Sequence, residues 1–184
     1  MLMNLFVYGT LKSGECNHWP FLGEAAERGI RKGSVHGQLY TFGPPILFMP
    51  STLVFNSGHG GKHEDELTYV NTIKRWQDKH ANDEAFFTQM ESESVGKSKG
   101  EVYSVDHDQL RRVDGLEGFL TNRNYGYYYR VLVPCLISAG KGDPVWSPVW
   151  TYVMAHDYLR TYTTKVQSDT WTYTYQKRGV GALD

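Results

Sequence analysis

Phe6-Val7-Tyr8-Gly9-Thr10-Leu11, continued by Lys12-Ser13-Gly14 and then Asn17-His18, is the stretch around which this chain is organised. It begins as an apolar strand and breaks at a glycine set between an aromatic ring and a hydroxyl. Glycine has no Cβ to hold a bound group away, so a strand ending in Tyr-Gly-Thr lets the backbone come close to a ligand. The expectation is an anion-binding turn built from Tyr8, Gly9, Thr10 and Leu11. Glu117, far along the chain, is expected to complete the site.

Outward from this turn, residues 4–8 form the first strand and residues 18–22 one helical turn, with Pro20 tolerable near its start. Residues 31–40 read as a strand interrupted by Gly33 and Gly37, the mark of a bulge or a tight bend in a curved sheet. Gly43-Pro44-Pro45 is a turn, 46–49 a short edge strand, and 52–56 another strand-like run. The character then changes. Ser57-Gly58-His59-Gly60-Gly61 reads as flexible and 62–66 as charged. Tyr69, Ile73, Trp76 and His80 follow at helical spacing, and a second short helix covers 83–90. Residues 57–94 are therefore expected to be a helical insertion carried by the main fold, one that could serve as a lid.

Residues 99–105 alternate as a strand. Asp106 with Gln109 three positions on predicts a capping box, Leu110, Val113 and Leu116 give the following helix an apolar side, and Gly118 is its stop. Residues 127–137 and 148–155 are strands, with Pro134 marking an edge or bulge. The alternation of aromatic residues and threonine over 171–175 predicts a late strand with one buried face. Strands without regular intervening helices argue against a doubly wound sheet. They favour an α+β, mainly β architecture, a small curved sheet or barrel with peripheral helices.

With 184 residues the chain fits a single domain, 1–184, able to bury a core unaided. A formal net charge of −1, without a basic stripe, argues against nucleic acid or a membrane surface as partner. No apolar run approaches the ~20 residues of a spanning helix, and Met1-Leu2-Met3-Asn4 lacks the basic region of a signal peptide. Two cysteines, Cys16 and Cys135, lie far apart, so a reduced, cytoplasmic setting is expected. Cys135 reads as a buried thiol, and for Cys16 mere proximity to the turn is favoured over a nucleophilic role. The thirteen tyrosines suit a sheet-rich core and a pocket with polar tips.

Dinucleotide, Walker, zinc-protease, Cys-x-x-Cys and Gly-x-Ser-x-Gly motifs are missing, and neither a cofactor nor a metal is expected. His59 and His63 are spaced for zinc only on a formed helix, and Gly60-Gly61 between them favours a solvated loop. For His18, orienting a loop or facing solvent near the pocket is favoured over the role of a general base.

Three separated parts remain: Tyr8-Gly9-Thr10-Leu11 with Asn17-His18, Gly100-Glu101-Val102-Tyr103 leading to Asp114-Gly115-Leu116-Glu117-Gly118, and Tyr128-Tyr129-Arg130. Together with Gly37-Gln38-Leu39-Tyr40 they resemble, in order, the γ-glutamylcyclotransferase-like proteins of the AIG2-like and γ-glutamylamine cyclotransferase branch. The resemblance covers residues 5–50 and 95–133, and more weakly 150–153. It implies a six-stranded mixed barrel with surrounding helices, and a cofactor-independent cyclisation of a small γ-glutamyl substrate that releases 5-oxoproline and an amine or amino acid. By family position Glu117 is the general base and acid. Tyr8, Gly9, Thr10, Leu11 and Tyr128 would hold the substrate, with Asn17, His18 and Arg130 in support. For Arg130, pairing with a carboxylate behind the site carries at least equal weight.

On residue chemistry alone Glu117 reads as a solvent-facing helix end, and the ordered matches shift that reading. The chain departs from the pattern at 57–94 and in an extension at about 157–184, so the substrate stays open. A homodimer also stays open, with residues 170–177 as a candidate surface. So do a non-catalytic module that binds a metabolite or protein through the retained pocket, and a lyase or transferase acting on another amine-bearing substrate.

Overall fold

The computed structural model describes residues 1–80, 83–119, 128–138, 140, 142–154 and 164–171. Strand β1 (Met3–Val7) is its centre, paired antiparallel with β6 (Ser98–Val105) and parallel with β8 (Val145–Met154). β6 continues to β2 (Arg31–Val35), β8 to β7 (Tyr128–Ser138), and β2 pairs with β7 to close the ring. Five strands thus form a closed mixed barrel. The sixth, β5 (Asn56–Ser57), is attached to the outer edge of β7. A second sheet holds β3 (Gln38–Thr41) between β4 (Pro45–Phe48) and β9 (Thr164–Lys165).

β1 shows why its sequence carries the fold. Side chains alternate across a strand, so Phe6 points into the barrel with Val102, Val133 and Cys135. Met3, Leu5 and Val7 face outward onto a second core with Leu22, Leu110 and Val113. Those three come from the helices α1 (His18–Ala26) and α4 (His107–Glu117). A strand buried on both faces must be largely apolar, and in this one only the partly buried Asn4 departs from that. Burial pushes the Cys135 thiol well above its ordinary pKa, and Cys16 is an exposed free thiol.

Several expectations are refined. The 31–40 run is two strands in two sheets, β2 and β3, separated at Gly37. Gly33 stays inside β2, where a Cβ would stand 2.7 Å from Val102 and 2.9 Å from the Cys135 sulfur. The helix expected over 18–22 runs on to Ala26, because Leu22 and Ala25 are fully buried. The 52–56 run is not a strand. Residues 51–53 form a 3-10 turn, and only Asn56 and Ser57 join the sheet. Pro134 lies where β7 passes from β5, which pairs at 131–132, to β2, which pairs at 136–138. A missing N–H is tolerated at such a break in the ladder.

The predicted helices over the 62–93 region form as α2 (Lys62–Lys79) and α3 (Glu84–Glu93). Tyr69 and Trp76 are buried, and the Tyr69 hydroxyl accepts a hydrogen bond from the Asn4 N–H at 3.0 Å. The glycine-rich 57–61 stretch, expected to be flexible, is instead tied down. Gly58 N–H donates to the Arg130 carbonyl at 2.7 Å, and the His59 and Gly60 N–H groups donate to Asp65 at 2.7 and 3.0 Å. Of the late strand expected over 171–175, only Trp171 is among the described residues, and its side chain is buried.

Candidate active site

β1 ends at Val7 and the chain turns at once, with Lys12 N–H donating to Gly9 O at 3.0 Å. In such a turn the two central residues, Thr10 and Leu11, do not use their N–H groups within the turn. Neither N–H meets an acceptor among the described residues. The turn is locked from below by Asn17, whose N–H donates to Thr10 O and whose amide donates to Thr10 Oγ1, both at 3.0 Å. Beyond it the Ser13 N–H donates to Glu101 at 2.6 Å, and the Tyr103 hydroxyl donates to the same carboxylate oxygen at 2.8 Å. Glu101 and Tyr103 of the Gly-Glu-Val-Tyr strand therefore hold the loop after the turn. Lys12, buried beside it, donates to the Trp171 carbonyl. Desolvation lowers the Lys12 pKa.

Gly9 is required by contact. A Cβ there would lie 2.4 Å from Pro45 Cγ, so the first turn and the start of β4 can approach only through a glycine. Gly9→Ala is expected to destabilise the protein by about 1–3 kcal/mol, as overpacking does elsewhere. Urea denaturation measures it, and an unchanged midpoint would contradict the contact.

Glu117 sits at the last position of α4. Asp106 and Gln109 make the expected capping box, and Gly118, with φ of +69°, ends the helix in the left-handed region that favours glycine. Between this helix end, the 8–11 turn and the Pro44–Pro45 segment lies a cavity of about 440 Å³. Tyr8, Gly9, Thr10, Leu11, Asn17, Glu117 and Tyr128 all contribute to its lining. His18 does not. It packs against the Tyr103 ring at 5.7 Å, behind the turn.

The electrostatics are one-sided. Glu117 is half-buried and has neither a hydrogen bond nor an ion pair among the described residues. Desolvation raises its carboxyl from 4.5 to about 7. Tyr8 and Tyr128 are also pushed up, first by burial and then by neighbouring charge, that of Glu117 included. Both remain neutral phenols with fixed partners. Tyr8 donates to the Tyr152 carbonyl at 2.9 Å and Tyr128 to the Pro45 carbonyl at 3.0 Å.

Arg130 lies behind the cavity, fully buried. Its Nη2 meets Asp65 at 2.6 Å and its Nε meets Asp114 at 3.0 Å, while Phe119 and Trp150 rings flank the guanidinium at 4.9 and 4.8 Å. Asp114 also accepts from the Tyr152 hydroxyl at 2.7 Å. Burial raises the Asp114 carboxyl, and the Arg130 charge opposes that rise. Asp65 is the residue that sequence reasoning passed over. It sits in a charged run that looks solvated, and no local signal marks it as buried.

The profile of the family described as gamma-glutamyl cyclotransferase, AIG2-like, matches residues 5–63 and 62–173. A relative from Methanocaldococcus jannaschii, named provisionally as a gamma-glutamylcyclotransferase, is 28% identical over 142 residues, which is 77% of this chain and 79% of its own. Among solved structures, the AIG2-like protein of Mus musculus is 20% identical with a TM-score of 0.48, covering 93% of this chain and 88% of its own. YkqA of Bacillus subtilis is 19% identical with a TM-score of 0.48. The likeness covers 93% of this chain but only 40% of YkqA.

Proposed function

This chain belongs to the AIG2-like gamma-glutamyl cyclotransferase family, and from that premise we propose that it cyclises a γ-glutamyl amine or γ-glutamyl-tagged metabolite. The α-amine of the substrate attacks its own γ-carbonyl carbon. A new C–N bond closes the five-membered ring of 5-oxoproline, and the old γ-C–N bond breaks to free the amine. Starting from the α-ammonium, two protons pass from the attacking nitrogen to the leaving one, which departs as an ammonium. No external co-reactant enters this balance.

The carrying observation is Glu117, a half-buried carboxyl without a counter-charge among the described residues, raised to about 7 beside the 8–11 turn. A free α-ammonium has a pKa near 8, so a carboxylate of about 7 is well matched to take its proton and return it to the leaving amine. The unused N–H groups of Thr10 and Leu11 are suited to the substrate carboxylate or to the oxyanion that forms at the γ-carbonyl. Holding the folded substrate near attack geometry supplies the rest. A reduced cytoplasmic setting belongs to the same reading.

The test is incubation with a panel of γ-glutamyl amines and γ-glutamyl dipeptides, following 5-oxoproline by chromatography. Release from at least one class is expected. Saturable binding with no product from any would replace the enzyme with a binding module.

A further inference from the structure

Lysine is rarely buried without a partner, and Lys12, which the cyclisation does not use, is only 8% exposed. Its backbone N–H closes the 8–11 turn through the bond to Gly9 O. Its side chain does not line the cavity, and the ammonium donates instead to the Trp171 carbonyl. Burial works against that charge, and the nearby carboxylates of Glu15 and Glu101 favour it. Trp171 ends a segment that is itself fastened. β9 pairs with β3, and the Val166 N–H donates to Leu39 O at 2.9 Å. Lys99 reaches Asp169 twice, N–H to carbonyl and ammonium to carboxylate, both at 2.6 Å. The Trp171 side chain is buried in the barrel core with Phe6, Tyr8 and Leu39. The chain just after the turn is thus held from two sides, by this segment through Lys12 and by Glu101 through the Ser13 N–H.

We propose that Lys12 is a positioning residue of the site, clamping the segment 164–171 to the 8–11 turn and so fixing where the Thr10 and Leu11 N–H groups point. What those groups hold rests on the cyclisation proposed above; the clamp itself does not. A hydrogen bond from a charged donor is stronger than a neutral one, and this one acts on the residue that closes the turn. Its loss loosens the turn and leaves the lining of the cavity chemically unchanged. A misplacement of about 1 Å in such a site is worth on the order of 10²-fold in rate.

The experiment compares Lys12→Met, which keeps the apolar stem, with Lys12→Arg, which keeps a cationic donor. Three quantities are read on the full chain: amide hydrogen exchange, calorimetric affinity for 5-oxoproline, and kcat/KM for its release. The Asn17 and Lys99 N–H groups are bonded to Thr10 O and Asp169 O, on either side of the clamp. In Lys12→Met their exchange is expected to accelerate about tenfold while the β1–β6 ladder keeps its rate. The Kd for 5-oxoproline is expected to rise about fivefold, the worth of roughly one hydrogen bond, a change that a smaller folded fraction does not produce. kcat/KM is expected to fall about 10- to 100-fold, and Lys12→Arg to recover most of each loss. Asp169→Ala severs the exposed ion pair with Lys99 and is expected to speed exchange at Asn17 by a smaller factor. Unchanged exchange at Asn17 in both Lys12→Met and Asp169→Ala, or an unchanged Kd in Lys12→Met, overturns the clamp. A native protein that neither binds nor releases 5-oxoproline removes the cyclisation, and faster exchange at Asn17 and Lys99 in Lys12→Met then keeps the clamp.

Discussion

Glu117→Gln is expected to reduce 5-oxoproline release by about 10²–10⁴-fold, the range associated with a positioned proton-transfer group, while making the folded protein more stable at neutral pH. The two effects have one cause. Desolvation lifts the Glu117 carboxyl from 4.5 to about 7 in the folded chain, so the folded state holds its proton more tightly than the unfolded state. That contribution to stability is complete below pH 4.5 and is lost as pH rises through 7. Above pH 8 the wild type carries an ionised carboxyl in a poor medium, at a cost of roughly 2–3 kcal/mol once partial solvent access is allowed for.

Glutamine carries no charge and escapes that cost. Urea denaturation of the two proteins should therefore coincide near pH 4 and diverge in favour of the variant by pH 8. In the same window, wild-type kcat/KM should rise with an ascending limb near pH 7, as the base form of Glu117 appears. Unchanged turnover in the variant would exclude Glu117 as the proton carrier. Coincident denaturation curves at pH 8 would exclude the raised carboxyl.

The parts of the molecule that were readable are those written in local chemistry. β1 is apolar at every position but Asn4 because both its faces are buried. The helix of Glu117 announces its start through Asp106 and Gln109 and its end through Gly118. The less readable parts depend on contacts between distant segments. The run 52–56 has strand composition. Yet Leu53 and Val54 complete a 3-10 turn, and the chain reaches β7 only at Phe55, whose N–H donates to Leu132 O at 2.8 Å. Closure of the barrel rests on β7 changing partners around Pro134, which a single strand cannot advertise. In the candidate site, the 8–11 turn and Glu117 expected from sequence do line one cavity, but the need for Gly9 comes from Pro45, thirty-six positions away. The glycine-rich 57–61 stretch and the charged 62–66 run looked like solvated chain. They wrap a buried ion cluster.

That cluster sets the largest expected loss of stability. Arg130 is the cation between Asp65 and Asp114, and all three are buried. Arg130→Met keeps part of the packing between Phe119 and Trp150 but leaves two carboxylates without their cation. Breaking a buried pair in this way costs about 3–5 kcal/mol. The direction with pH follows from Asp114. Burial raises its carboxyl and Arg130 pulls it down, so removing the arginine lets the pKa climb further. A raised carboxyl stabilises the folded state at low pH and loses that contribution as pH rises. The variant should therefore recover stability relative to wild type as pH falls, and adding Asp114→Asn should recover part of it at neutral pH.

A difference below about 1 kcal/mol at pH 7.5 would mean that water reaches the cluster and screens it. The consequence for the site is mechanical. Asp114 accepts the Tyr152 hydroxyl, the Tyr152 carbonyl accepts the Tyr8 hydroxyl, and Tyr8 stands beside Gly9 in the turn. Asp65 brings α2 to the same guanidinium, so this arginine is one of the ties between α2 and the base of the cavity, beside the Tyr69–Asn4 bond. Loss of Arg130 should therefore loosen the turn and the α2 anchor together. Hydrogen exchange at Thr10 and Gly60 is expected to accelerate in parallel in Arg130→Met, and acceleration at only one of them would show that the two are not linked through the cluster.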